Sequence, residues 1–271
     1  MLAGDITSSN YIESSYTTAA GFPGTYNDEA GGYITDGGNI WMAPFFASYV
    51  LATNRYTDPN VVAYFKSLIQ QAADTEVGYV TNDAYPNGWP ADINPYVSKN
   101  YFSGCFTSQG EYAYPCLLQW RLTGTQKYID AASQLMDYDQ GLNPLGKCFL
   151  TGVGFNRVYN PEQRESVYAE EQGMGGPEPG ITVYGPGVTQ TEAGYGPGNP
   201  AWNAPQIPNA NNLARERVYV DDLGNYEWNE FTDYQCESWP AAIYEVLSQG
   251  GVWSPANGEP FIVPQTTNQV Y

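Results

Sequence analysis

The stretch at 219–232, YVDDLGNYEWNEFT, sets a glutamate, Glu230, among aromatic residues and behind two aspartates, Asp221 and Asp222. A carboxyl group with Tyr226, Trp228 and Phe231 as sequence neighbours is a candidate general acid. Burial beside aromatics and a nearby negative charge both keep such a group protonated towards neutral pH. The same residue also fits an ordinary glutamate at the mouth of a helix, because the apolar run WPAAIYEVL follows it. A helix N-terminus favours the ionised form, so the two placements pull its acidity in opposite directions. A second carboxylate, Glu162, stands in PEQR at 161–164 next to Arg164. The planar fork of an arginine can grip sugar hydroxyls or a substrate carboxylate, or brace a neighbouring Glu162 or Glu165.

The chain contains no histidine. Ser-His-Asp and Cys-His catalysis and His-ligated zinc are excluded within it, and acid–base work falls to carboxylates or tyrosine. That chemistry requires no cofactor. Asp221 and Asp222, with Tyr219, read as hydrogen-bonding supports of the acid loop. A structural calcium held through carboxylates and carbonyls is the second reading of the aspartate pair, and no other metal site is expected. Trp89, Trp202 and Trp228 are candidates for stacking on sugar rings, although any given tryptophan is more often core. The four cysteines, Cys105, Cys116, Cys148 and Cys236, include no Cys-x-x-Cys pair. Cys105 with Cys116 would close a short loop, Cys148 with Cys236 would join two distant regions, and four free thiols are the alternative. Pairing fits an oxidising setting, extracellular or at the cell surface.

These groups need elements to hold them. With 271 residues and 42% hydrophobic content, the chain can bury a sizeable core. No run approaches the ~20 apolar residues that span a bilayer, and the opening MLAGDITSSNYIESS lacks the regions of a signal peptide. The chain is accordingly expected to be mature or a fragment. Ten Lys and Arg against 29 Asp and Glu give a net charge of −19. Without clustered cations, neither nucleic acid nor an anionic membrane is an expected partner. The scattered acids read as a solubilising surface, or as adaptation to salt or cationic substrates.

The periodicity predicts helices over 40–56, 58–74, 109–124 and 125–143, and a last one over about 229–248. Asp58-Pro59 marks a start and Gly124 a stop. Residues 75–104 and 144–212 read as loops, the second long enough to be functional. Strand signal is weak throughout. The expected fold is all-α, helical hairpins arranged around an axis, in which these few helices form part of a closed helical barrel. Residues 1–38 read as an irregular arm, 39–252 as the helical domain and 253–271 as an extended tail.

Two segments carry a resemblance. DYDQGLNPLGKCFLTGVGFN at 137–156, followed by PEQR, resembles the first signature of glycoside hydrolase family 9, the inverting β-glycanases built on an (α/α)6 barrel. Tyr219, Asp221, Tyr226, Glu230 and Thr232 follow the spacing of the second. The resemblance covers about 40–250 and implies an all-α fold of the (α/α)6-barrel type, in its C-terminal part. It implies a glycosidase acting on β-glycans such as cellulose or related β-glucans. Glu230 becomes the general acid; Arg164, Tyr226, Trp228 and Glu162 contact substrate; Tyr219, Asp221 and Asp222 support the acid loop. Since both signatures build one cleft, Cys148 and Cys236 are expected within disulfide reach. Three departures stand out: Glu162 replaces the family histidine, Cys236-Glu237 replaces an Asn-small pair, and the Asp-Ala-Gly-Asp motif that holds the base is absent. The base is then expected on an N-terminal half or partner chain that completes the barrel. A non-catalytic domain for carbohydrate binding or assembly is the alternative.

Overall fold

The computed structural model describes residues 43–52, 57–88, 109–186, 216–217, 219–222, 226–230, 243–244 and 246–248. The expected arm and tail, Cys105, Cys236, Trp89 and Trp202 lie outside the described residues. Among the described residues the helices are, in order, α1 Ala43–Val50, α2 Pro59–Asn82, α3 Gln109–Thr123, α4 Gln126–Asp139, α5 Arg164–Glu171 and α6 Tyr226–Asn229, and a last helical segment includes residues 243–244 and 246–248. Among the described residues no strand forms, and the sheet-like pairings are isolated bridges.

Pro44 lies in the first turn of α1, where its missing N–H costs nothing. Asp58 caps α2 by accepting from the Asn60 N–H at 2.7 Å, with Pro59 opening the helix. α2 runs to Asn82, well past the stop expected at residue 74. Its buried face continues through Ala72, Ala73 and Glu76, and Val77 and Val80 pack on the same core. Tertiary packing thus carries the helix through Gly78 and its β-branched neighbours. Gly124, at φ 70, ends α3 by giving its N–H to the Trp120 carbonyl at 2.7 Å.

α3 is the centre of the domain. Every residue from 112 to 120 is buried, as expected for a helix surrounded on all sides. It packs between α2 and α4, with α1 against α2. Phe46, Tyr49, Phe65, Leu68, Leu117, Leu135 and Met136 fill the core, and Ile243 of the last helical segment joins it. A second, smaller cluster of Phe149, Val158, Val183, Tyr219 and Trp228 lies outside that core.

Among the described residues two acids are buried, Asp139 at the end of α4 and Glu76 on the core face of α2. Glu76 is 1% exposed, its Oε2 has no hydrogen-bond partner, and burial pushes its carboxyl well above the usual carboxylate range. Gly88 packs directly over it: an added Cβ would come within 2.6 Å of Oε2 and 2.3 Å of the Tyr112 Cβ. A carboxyl whose folded pKa is raised favours folding most when protonated. Its contribution is complete below the unfolded value of 4.5 and is lost as pH rises through the folded value. Glu76→Gln should therefore gain on the parent by up to about 1.4 kcal/mol per pH unit across that window. Thermal melts at stepped pH check this, and parallel stability profiles for the two proteins would contradict it.

Candidate active site

The site is built outward from the end of α4. Asn143, 4% exposed, holds the Asn-Pro-Leu-Gly turn with its own side chain. Its Nδ2 donates to the carbonyls of Tyr138 and Lys147, both at 2.7 Å, and its Oδ1 accepts from the N–H groups of Leu145 and Lys147. The chain then runs beside two other segments, through bridges from Cys148 to Arg157 and from Leu150 to Thr182. Thr151 fastens the second segment: its hydroxyl donates to the Glu178 carbonyl and accepts from the Ile181 N–H. Gly152 is required here twice over, by its φ of +73 and because a Cβ would meet the Pro179 Cβ at 2.6 Å.

The acid loop rests on this frame. Asp221 accepts from the backbone N–H groups of Tyr159 and Asn160, at 3.0 and 2.9 Å, and pairs with the Lys147 ammonium at 3.0 Å. Lys147 also donates to the Arg157 carbonyl and stands over the Tyr219 ring. Tyr219 packs edge-on against Phe149 and gives its hydroxyl proton to Asn229 Oδ1 at 2.6 Å. Asn229 is fully buried, and its Nδ2 donates to the carbonyls of Val220 and Asp222 at 2.7 and 2.9 Å. Asn229 thus clamps the loop before Glu230 to the residue immediately preceding it.

Glu230 follows the last residue of the single turn α6 and bridges in parallel to Glu162; the residues after it, where the last helix was expected to begin, lie outside the described residues. The Glu162 N–H donates to the Asn229 carbonyl at 2.7 Å, and the Glu230 carbonyl accepts from the Tyr184 N–H at 2.9 Å. Residues paired in a bridge present their side chains on one face, so the two side chains leave the bridge on the same side. Both are partly buried. Burial raises the Glu162 carboxyl, and the negative charge of Glu230 raises it further. Burial also raises the Glu230 carboxyl. The repulsion belongs to the pair, since charging either acid penalises the other.

The other expected site residues divide. Asp221 and Tyr219 hold the loop through the bonds above, and Asp222 contributes its backbone carbonyl. Trp228 is 1% exposed within the second cluster, so it forms floor beneath the loop and not a stacking surface. The Tyr226 side chain lies outside the described residues. Arg164 is exposed at the start of α5, and among the described residues it makes no ion pair. That helix lies within the loop expected over 144–212, with Gln163 capping it through the Ser166 N–H at 2.6 Å. Cys116 and Cys148 are free thiols. The bridge expected between Cys148 and Cys236 is thus not formed, and the Cys148 thiol faces the Leu150 carbonyl at 3.7 Å. Sequence reasoning missed Asn229 and Lys147, whose roles depend on partners distant in the chain. It also missed Tyr159, half exposed beside Asp221. Among the described residues no three His, Cys, Asp or Glu converge on a metal position.

Helical hairpins carrying a partly buried carboxyl pair at their loop end define an all-α protein of the (α/α)6-barrel type. Residues 7–238 match the profile of Glycosyl hydrolase family 9, and the chain belongs to that family. It is 28% identical over 155 residues to a xyloglucan-specific endo-β-1,4-glucanase of Bacteroides ovatus, covering 56% of this chain and 22% of that protein. It is 26% identical over 166 residues to a cellulose 1,4-β-cellobiosidase of Acetivibrio thermocellus, covering 60% and 15%. Among solved structures, a metagenome-derived family 9 endoglucanase superposes with a TM-score of 0.53 at 24% identity, over 72% of this chain and 30% of that one. The chain therefore spans less than a third of these relatives.

Proposed function

We propose that the native protein is a glycoside hydrolase that cleaves β-linked glucans with inversion, and that Glu230 is its general acid. The observation that carries this reading is the position of Glu230. It is partly buried and inclined to keep its proton, it follows directly on the Tyr219–Asn229 clamp, and its motif position resembles that of the family's acid. In the reaction a base takes a proton from water as its oxygen bonds to the anomeric carbon. The glycosidic bond breaks, and the leaving oxygen takes the Glu230 proton. Inversion needs the two carboxyls about 6.5–9.5 Å apart, across the sugar ring. Glu162, beside Glu230 on the same face, does not fit the place of the base. The base is assigned to an N-terminal half or partner chain that completes the barrel.

Arg164, exposed at the start of α5, is assigned the role of holding substrate hydroxyls. Tyr159 offers the aromatic face that the buried Trp228 cannot. No cofactor is needed, and a calcium on the acid loop would have to displace Lys147 from Asp221. The names of the relatives support cellulose-like or xyloglucan substrates, and an extracellular or cell-surface location fits polymers of that kind. Proton NMR during hydrolysis of a β-glucan by the native protein should show the α-anomer first. A β-anomer would remove inversion. The second reading, a non-catalytic glucan-binding domain, draws on Glu162 in the histidine position and the absent Asp-Ala-Gly-Asp motif. It predicts glucan binding with no product at all.

A further inference from the structure

The bridge between Glu162 and Glu230 places like charges directly opposite each other, an arrangement that ordinarily destabilises paired chains. No ion pair among the described residues relieves it. Among the described residues, Lys147 pairs with Asp221, and neither Lys147 nor Arg164 is paired with either glutamate. The other charged groups on the flanking segments are Asp221 and Asp222 on the acid loop, Glu165 on α5, and the cations Arg157, which stands over the Tyr159 ring, and Arg217; among the described residues neither cation forms an ion pair with Glu162 or Glu230. The segment bridging Glu230 from the other side contributes Tyr184 and no charge. Glu162 Oε2 is buried with no hydrogen-bond partner. A backbone hydrogen bond from Glu162 to the Asn229 carbonyl at 2.7 Å keeps the two side chains in register.

We propose that Glu162 and Glu230 work as one proton-sharing carboxyl pair, in which Glu162 is the positioning residue that keeps a proton available to Glu230. This rests on the reading of Glu230 as the acid. One proton on the pair removes the repulsion between the two charges. Losing it leaves two carboxylates on the same side of the bridge, so the pair holds that proton to higher pH than either group alone. When Glu230 gives its proton to the leaving oxygen, the pair regains one from solvent, and no other reactant is consumed.

The test is Glu162→Gln, with Glu162→Asp as the charge-conserving control, in the native protein. For Glu162→Gln the alkaline limb of kcat/KM against pH should move down by about one unit or more, with kcat at acidic pH changed much less. Glu162→Asp should return most of the shift. A limb left in place by Glu162→Gln overturns the pairing, because a purely structural loss lowers the whole profile without moving it. A second readout does not depend on turnover or on the variants folding. In wild-type protein, the side-chain carboxyl carbons of Glu162 and Glu230 should each titrate in two steps by carbon NMR. Two independent single-step curves overturn the proposal. If Glu230→Gln abolishes turnover while the Glu162→Gln limb stays put, the pairing fails alone. If Glu230→Gln is fully active, the reading of the acid fails instead.

Discussion

Glu230→Gln is expected to cut turnover of a natural β-glucan by roughly 10²–10⁴-fold, the range that general acid catalysis supplies. Glutamine keeps the shape and the backbone bridge to Glu162 but has no proton to give at any pH. Folding should survive, since the carbonyl of residue 230 still accepts from the Tyr184 N–H. Glucan binding should survive too, because proton donation matters in the transition state and not in the ground state. Repulsion within the pair disappears, so the variant should melt at or slightly above the parent near neutral pH. The same change at Glu170, exposed near the end of α5, should leave turnover within about twofold, as for surface substitutions away from a site. Steady-state assays on a soluble β-glucan, with binding measured separately, check all three points. Loss of binding in parallel with turnover would mean that Glu230 grips substrate instead of protonating it.

The largest loss of stability is expected from Asn229→Ala. Asn229 is fully buried, and its side chain satisfies the Tyr219 hydroxyl and the carbonyls of Val220 and Asp222. Removing it leaves those groups without their partner beneath the loop, each at about 1–3 kcal/mol. The sum is expected at roughly 3–6 kcal/mol, well above the ordinary point mutation. Turnover should fall as well, since the residue bonded to Glu162 and adjoining Glu230 is the one that fixes the loop. Asn229→Asp keeps the acceptor for Tyr219 but loses both donated bonds and adds a third carboxylate, so it should be no better. Denaturant or thermal unfolding decides this, and a midpoint within a degree or two of the parent would show that the clamp contributes little.

The hairpins were legible in the sequence because their signals are local. Asp58-Pro59 opens α2, Gly124 closes α3, and the apolar period of α4 needs no distant partner. α5 was not legible. Arg164–Glu171 is short and largely exposed, and its cap is Gln163, a residue outside the common capping set. The acid's surroundings were not legible either: before Glu230 the chain makes one turn at Tyr226–Asn229, and Glu230 itself is bridged to Glu162. A bridge one residue long has no period, so no window of sequence reports that Glu162 lies beside Glu230. Asp221 could be assigned a supporting role from its place in the motif. Its partners Lys147, Tyr159 and Asn160 could not, because they come from another part of the chain. Trp228 shows the limit of residue type: the same aromatic serves as sugar platform or loop floor, and burial alone distinguishes them.

The most direct test of the account is the dependence of Glu230→Gln on the leaving group. An aryl β-glycoside with an acidic phenol departs with little help from a proton, whereas a sugar hydroxyl needs it. The account predicts that Glu230→Gln in the native protein loses roughly 10²–10⁴-fold on the natural glucan but retains most of its rate on the activated glycoside. Equal losses on both substrates, or no loss on either, would contradict Glu230 as the proton donor.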